Sequence, residues 1–123
     1  MEFTQEIKDK WLAALRSGNY KQGTGNLKTK TNRFCCLGVL CDVYRKETKY
    51  GKWMKDNFGN FHFINTKKSK KDFKDAGVLP LNVMEWADLP SVNPLIDVGS
   101  SLAGINDSGA SFEKIADIIE KKF

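Results

Sequence analysis

The 123-residue sequence holds one histidine, three cysteines and three prolines, and no apolar run close to the roughly 20 residues that span a bilayer. A membrane-spanning helix is therefore not expected. The opening MEFTQEIKDK lacks the apolar stretch of a secretory leader, so a cytoplasmic protein is expected. Cys35, Cys36 and Cys41 are odd in number and crowd into seven residues, a poor disulfide framework, and reduced thiols are expected. His62 stands 21 positions beyond Cys41 with no second ligand pattern around it, so no metal site is expected. Nucleotide-loop and nucleophile-elbow patterns (GxxxxGK[ST], GxGxxG, GxSxG) are missing too. YKQGTGN has loop glycines but no lysine-serine ending. One of the cysteines with His62 is the sole thiol–imidazole combination, yet Phe34, Leu37 and Leu40 flank those cysteines and mark them as buried structural thiols. No catalytic residue and no cofactor are expected, and the chain does not read as an enzyme.

The residues present suit one folded domain. The apolar fraction is 41% with eight phenylalanines, and a chain this long hides roughly two thirds of its unfolded surface. The net charge of +5 is unevenly spread: residues 1–75 carry 17 Lys and Arg against 8 Asp and Glu, and residues 76–123 carry 3 against 7. A basic front part draws anions, or pairs with the acidic part of another subunit.

Ile7, Trp11, Leu12 and Leu15 are spaced for a helix over residues 5–17, with Thr4 as its cap and Gly18 as its stop. Residues 19–36 alternate and turn at Gly23 and Gly25, which predicts short antiparallel strands ending in Phe34, Cys35 and Cys36. Leu37, Leu40, Cys41 and Tyr44 then adopt a helical period, although one buried strand from Phe34 to Val43 is the alternative. Gly38 inside that helix implies close approach of another backbone, and Asp42 is placed to pair with Arg45 and Lys46. KWMKDNFGNFHFIN predicts a hairpin with its loop at 56–60, Gly59 at positive φ, and Trp53 facing Phe61 and Phe63. Lys67, Lys68, Lys70, Lys71 and Lys74 form a charged loop that either touches phosphates or keeps the surface soluble. Pro80 opens a helix over 80–88 with Val83, Trp86 and Ala87 inward, and Pro90 and Pro94 end it and keep the next stretch extended.

GINDSGASFEKIADIIE imitates the middle of a helix-turn-helix DNA reader. Ser111 caps a helix with Phe112, Ile115, Ala116 and Ile119 on one face, which corresponds to the supporting helix. No base-reading helix comes after it, and this part of the chain is acidic, so sequence-specific DNA binding is not expected. INDSG reads instead as the turn before a terminal helix. Asn106, Asp107 and Ser108 there either satisfy local backbone groups or contact a polar ligand.

WLAALRSGNYKQGTGNL, RFCCLGVLCDVY, LPLNVMEWADL and GINDSGASFEKIADIIE together resemble a family of small uncharacterised proteins encoded by phages and prophages, the CCLGVLCD and INDSGASFEKIA blocks most specifically. The resemblance implies an accessory protein of a host cell's cytoplasm, of a class that counters host defence, including by sequestering nucleotide signals.

The resulting expectation is a single α+β domain, a small antiparallel sheet with about four helices, that sequesters a small anionic, nucleotide-like ligand in a cleft between subunits of a homo-oligomer. Lys21, Gln22, Arg33, Asn106 and Asp107 are its expected ligand-binding residues. Arg33 leads them because a guanidinium beside Phe34 holds a phosphate and stacks a base. Two other readings are a protein inhibitor docking through Trp53, Phe58, Phe61 and Phe63, and a nonspecific nucleic-acid binder using the 67–74 lysines.

Overall fold

The apolar stripe of Ile7, Trp11, Leu12 and Leu15 lies on α1 (Gln5–Arg16), which turns it into a shared core. The computed structural model describes residues 5–65, 78–97 and 99–123; the expected Thr4 cap and the 67–74 lysine run lie outside the described residues. Past the end of α1, Gly18 takes φ +77°, the left-handed backbone that lets the chain reverse.

The central element is α2 (Cys36–Thr48), buried at every position from Cys36 to Tyr44. It is a helix rather than the alternative strand. Its amino end is capped by the Cys35 sulfur, which accepts from the Gly38 amide at 3.4 Å, and the Trp11 indole donates to the Cys36 carbonyl at 3.0 Å. A Cβ on Gly38 would stand 1.8 Å from the Leu27 carbonyl oxygen, so only glycine lets the preceding loop lie on this helix.

That loop corrects one expectation. The short antiparallel strands expected over 19–36 reduce to two isolated bridges, Gln22 with Phe34 (parallel) and Lys28 with Phe34 (antiparallel). Gly25 at φ +85° and Asn32 at φ +63° turn the chain too often for a ladder to extend. The hairpin does form, β1 (Gly51–Lys55) against β2 (Phe61–Asn65), with Trp53 opposite Phe63 and Phe61 opposite Lys55. Its loop spans 56–60 with Gly59 at φ +83°.

Pro80 caps α3 (Leu81–Ala87) from just outside it rather than starting its first turn. Val83 and Ala87 are buried, and the half-buried Trp86 meets Tyr44 edge-on at 5.2 Å. The stretch beyond Pro94 pairs as β3 (Leu95–Asp97) with β4 (Ser100–Ser101), so two separate two-stranded ribbons take the place of one sheet. INDSG was expected to be a turn, yet Ile105, Asn106 and Asp107 close a further helix, α4 (Leu102–Asp107), capped by Ser101. The turn comes after it, at Gly109 with φ +105°.

Ser111 then caps α5 (Phe112–Lys122), accepting from the Lys114 amide at 3.2 Å. Phe112, Ile115, Ala116 and Ile119 are its buried face, the larger three contributing about 2 kcal/mol each by burial. α5 packs on α1: Arg16 reaches Asp117 and Glu120 at 2.7 and 2.8 Å, and the Lys8 ammonium donates to the Glu120 carbonyl at the helix's negative end. One hydrophobic cluster draws on all five described helices, and the architecture is a small α+β domain. No described helix is long and apolar enough to cross a membrane.

Candidate functional site

Three of the five expected ligand residues meet at one corner. Asn106 is fully buried where α4 meets the start of α2. Its Oδ1 accepts from the Cys36 amide at 3.2 Å and from Gln22 Nε2 at 2.9 Å. Its Nδ2 donates to the Gly23 carbonyl at 2.8 Å and to Asp107 Oδ1 at 3.2 Å. An amide offers two donors and two lone pairs, and all four are used inside the protein. Gln22 Nε2 also donates to the Ala110 carbonyl at 2.6 Å, and Asp107 Oδ1 accepts from the Gly25 amide at 3.0 Å. The corner is a latch that fastens residues 22–25 to α2 and α4. The Asn106 amide has no bond left to give a ligand, and both amide hydrogens of Gln22 are likewise used.

Lys21 and Arg33 are exposed beside the latch. A Cβ on Gly23 would stand 2.7 Å from the Arg33 Cβ, so Arg33 packs over the residue whose carbonyl Asn106 holds. Arg33 and Asn106 are neighbours across Gly23, Arg33 exposed and Asn106 fully buried. Nor does Arg33 sit over Phe34: that cation is Lys28, with its ammonium 5.4 Å from the ring centroid.

Lys28 opens a second cluster, on the far side of Phe34. Its Nζ lies 4.3 Å from the Phe61 centroid and 5.5 Å from that of Trp53. The rings brace one another edge-on, Tyr20 with Phe34 at 5.1 Å, Phe34 with Trp53 at 5.7 Å and Trp53 with Phe63 at 4.9 Å. Lys55 covers Phe61 at 5.2 Å. Burial lowers the pKa of Lys28, and of the charged groups it feels, Asp42 favours its charge while Arg45 and Lys55 oppose it. Among the described residues no carboxylate pairs with it.

Asp42 anchors the back of this face. Its Oδ1 accepts from Arg45 Nε at 2.8 Å and the Trp53 indole at 3.1 Å, and its Oδ2 accepts from the Tyr20 hydroxyl at 2.6 Å. Lys46 is 3.7 Å from Oδ2 and donates to the Tyr20 oxygen at 3.1 Å. Burial pushes the Asp42 carboxyl up, but the bonds from Arg45, Tyr20 and Trp53 outweigh it and hold the group below its ordinary value. Burial, then the bond to Asp42, drives the Tyr20 phenol well above its ordinary value, so it stays a donor. The expected Asp42 pairs with Arg45 and Lys46 both form, and the carboxylate also ties loop, helix and hairpin together.

Sequence reasoning did not single out Lys28. Its signal was available: no Asp or Glu occurs between Asp9 and Asp42, so the whole loop is cationic. The four hairpin aromatics do not make one exposed patch. Phe58 is 79% exposed, Phe63 is buried, and Trp53 and Phe61 are half-buried beneath the lysines. Cys35, Cys36 and Cys41 are free, buried thiols whose pKa burial raises, that of Cys35 to about 11. Among the described residues no set of three His, Cys, Asp or Glu converges as metal ligands.

The chain belongs to the family of the domain of unknown function DUF8296, whose model matches residues 3–123. No curated protein and no solved structure matches it.

Proposed function

For this member of the family, we propose binding and sequestration of a small anionic, nucleotide-like ligand on the face made by residues 20–34 and the β1–β2 hairpin, without chemical conversion of it. Lys28 carries the reading. It is a partly desolvated ammonium with no anionic partner among the described residues, and two of the three charged groups that act on it are cations. Removing a cation from water without an anion costs free energy, and an incoming phosphate or carboxylate recovers it. The rings of Phe34, Trp53 and Phe61 supply apolar surface beside that charge, Phe34 and Trp53 set edge to face, against which a base packs. Asp42 holds the floor in place through the Trp53 indole. The resemblance to phage accessory proteins makes a host nucleotide immune signal the ligand in view, and opposition to host defence the biological role.

Thermal shift against cyclic dinucleotides, cyclic ADP-ribose isomers, mononucleotides and the matching unphosphorylated nucleosides tests it. A phosphorylated ligand at 100 times its Kd should raise the melting temperature by about 10 °C, and the nucleosides should not. No shift with any phosphorylated compound removes the reading.

A further inference from the structure

The hairpin carries a second feature that the ligand face does not use. Phe58 at its tip is 79% exposed, although the backbone around it is tightly fixed. Asp56 Oδ1 accepts from the Phe58 and Asn60 amides at 2.8 and 3.0 Å, Asp56 Oδ2 lies 2.8 Å from His62 Nε2, and Gly59 completes the turn at φ +83°. An aromatic held out on a rigid turn loses little conformational freedom when it docks. Cations flank it: Lys30 packs within 3.8 Å of a Cβ built on Gly59, and Lys55 lies over Phe61.

At the other end of the hairpin is a groove of about 270 Å³ lined by Glu6, Ile7, Lys10, Glu47, Thr48 and Trp86. It falls short of the ~300–1,000 Å³ of drug-sized ligand sites and suits a single side chain. Its lining is more polar than apolar, with Ile7 and Trp86 supplying the apolar share. Glu6 and Glu47 both pair with the one cation, Lys10, which leaves its rim net negative. A basic tip and an acidic groove are complementary in charge.

The two features cannot meet within one chain. Thr48 lines the groove and β1 leaves at Gly51, so the tip stands one five-residue arm away, roughly 17 Å of stiff ribbon. Across a two-fold axis, however, two antiparallel hairpins bring each tip to the other's base. We propose that Phe58 of each copy inserts into the Ile7–Trp86 groove of the other, closing a reciprocal dimer with Lys30 and Lys55 against Glu6 and Glu47. The contact is isologous, so it closes at two subunits rather than growing into a filament. Phe58 and the groove lie outside the Lys28 floor, whereas Lys30 and Lys55 border both features, so Phe58→Ala, which leaves both lysines in place, separates the dimer from the ligand reading.

Native mass spectrometry and light scattering over a micromolar to submillimolar concentration series test the dimer, with far-ultraviolet circular dichroism confirming that each variant is folded. Phe58→Ala should weaken dimerisation about tenfold or more, Glu47→Lys should weaken it, and adding Lys55→Glu to Glu47→Lys should restore part of the loss. A wild-type chain that stays monomeric throughout the series overturns the proposal. So does a dimer that Phe58→Ala leaves unchanged, whatever else then holds it together.

Discussion

The corner at Asn106 and the face at Lys28 are both polar clusters assembled from distant parts of the chain, and both contain groups that bind ligands well in other settings. At the corner every amide hydrogen and lone pair of Asn106 meets a protein group at 2.8 to 3.2 Å. At the face an ammonium rests on three rings with its charge unbalanced. A buried polar group with all its bonds made stabilises the fold, whereas one with charge left over attracts something from outside. Residue type did not distinguish the two clusters; the tally of partners did.

Three substitutions break or sharpen that contrast. The largest effect is expected from Asn106→Ala, which strands the Cys36 amide and the Gly23 carbonyl in a buried site and releases Gln22. Stability should fall by about 4 kcal/mol, read as a shift in urea midpoint. A loss below about 1 kcal/mol would mean that the corner is no latch, and would return Asn106 to the ligand-binding candidates.

Asp42→Asn is intermediate, at about 2 kcal/mol, because an amide keeps one acceptor oxygen but turns a donor either toward Tyr20 or toward both Arg45 and Trp53. Its pH dependence fixes the sign. The folded pKa of Asp42 lies below the ordinary 3.8, so its contribution is present above that value and is lost as pH falls through the lower folded pKa. The urea midpoint should therefore fall further between neutral pH and about pH 3 for the wild type than for the variant, so that the two proteins converge in acid. Equal acid slopes would show that Asp42 gains nothing from its ionised form.

Lys28→Met should be smallest in stability, within about 0.5 kcal/mol, because the charge it deletes is already partly desolvated and the alkyl stem is kept. The same variant should lose phosphorylated-ligand binding by titration calorimetry. Asn106→Ala and Lys28→Met thus pull stability and binding apart, and a Lys28→Met protein that binds as the wild type does would leave the face without a role.

Much of the scaffold was legible before any coordinates. Trp11, Leu12 and Leu15 declared α1 by their spacing, Ser111 and Ile115 declared α5, and Gly38 announced the backbone that proved to be Leu27. Those are local rules of period and cap, or of a missing side chain. The misses share a different cause. α4 is six residues, too short to show a period, and it is held by the Ser101 cap and by Asn106's bonds to residues more than 60 positions away. The bridges at Phe34 depend on which turns Gly25 and Asn32 adopt, which alternation alone does not specify. In the site, Gln22, Asn106 and Asp107 meet, but the type of an amide does not reveal how many of its bonds are made at home.

By itself, then, the sequence determined the hairpin and its loop, the amphipathic helices α1 and α5, the buried thiols, and a front half whose cations outnumber its acids. These come from periodicity, capping and composition, which act between near neighbours or on the chain as a whole. Tertiary structure alone decided that Asn106 closes a latch and that Lys28, rather than Arg33, lies over Phe34. Pairing across long loops sets where each donor, acceptor and charge finds its partner, and that assignment separates a group that holds the fold from one left open to a ligand.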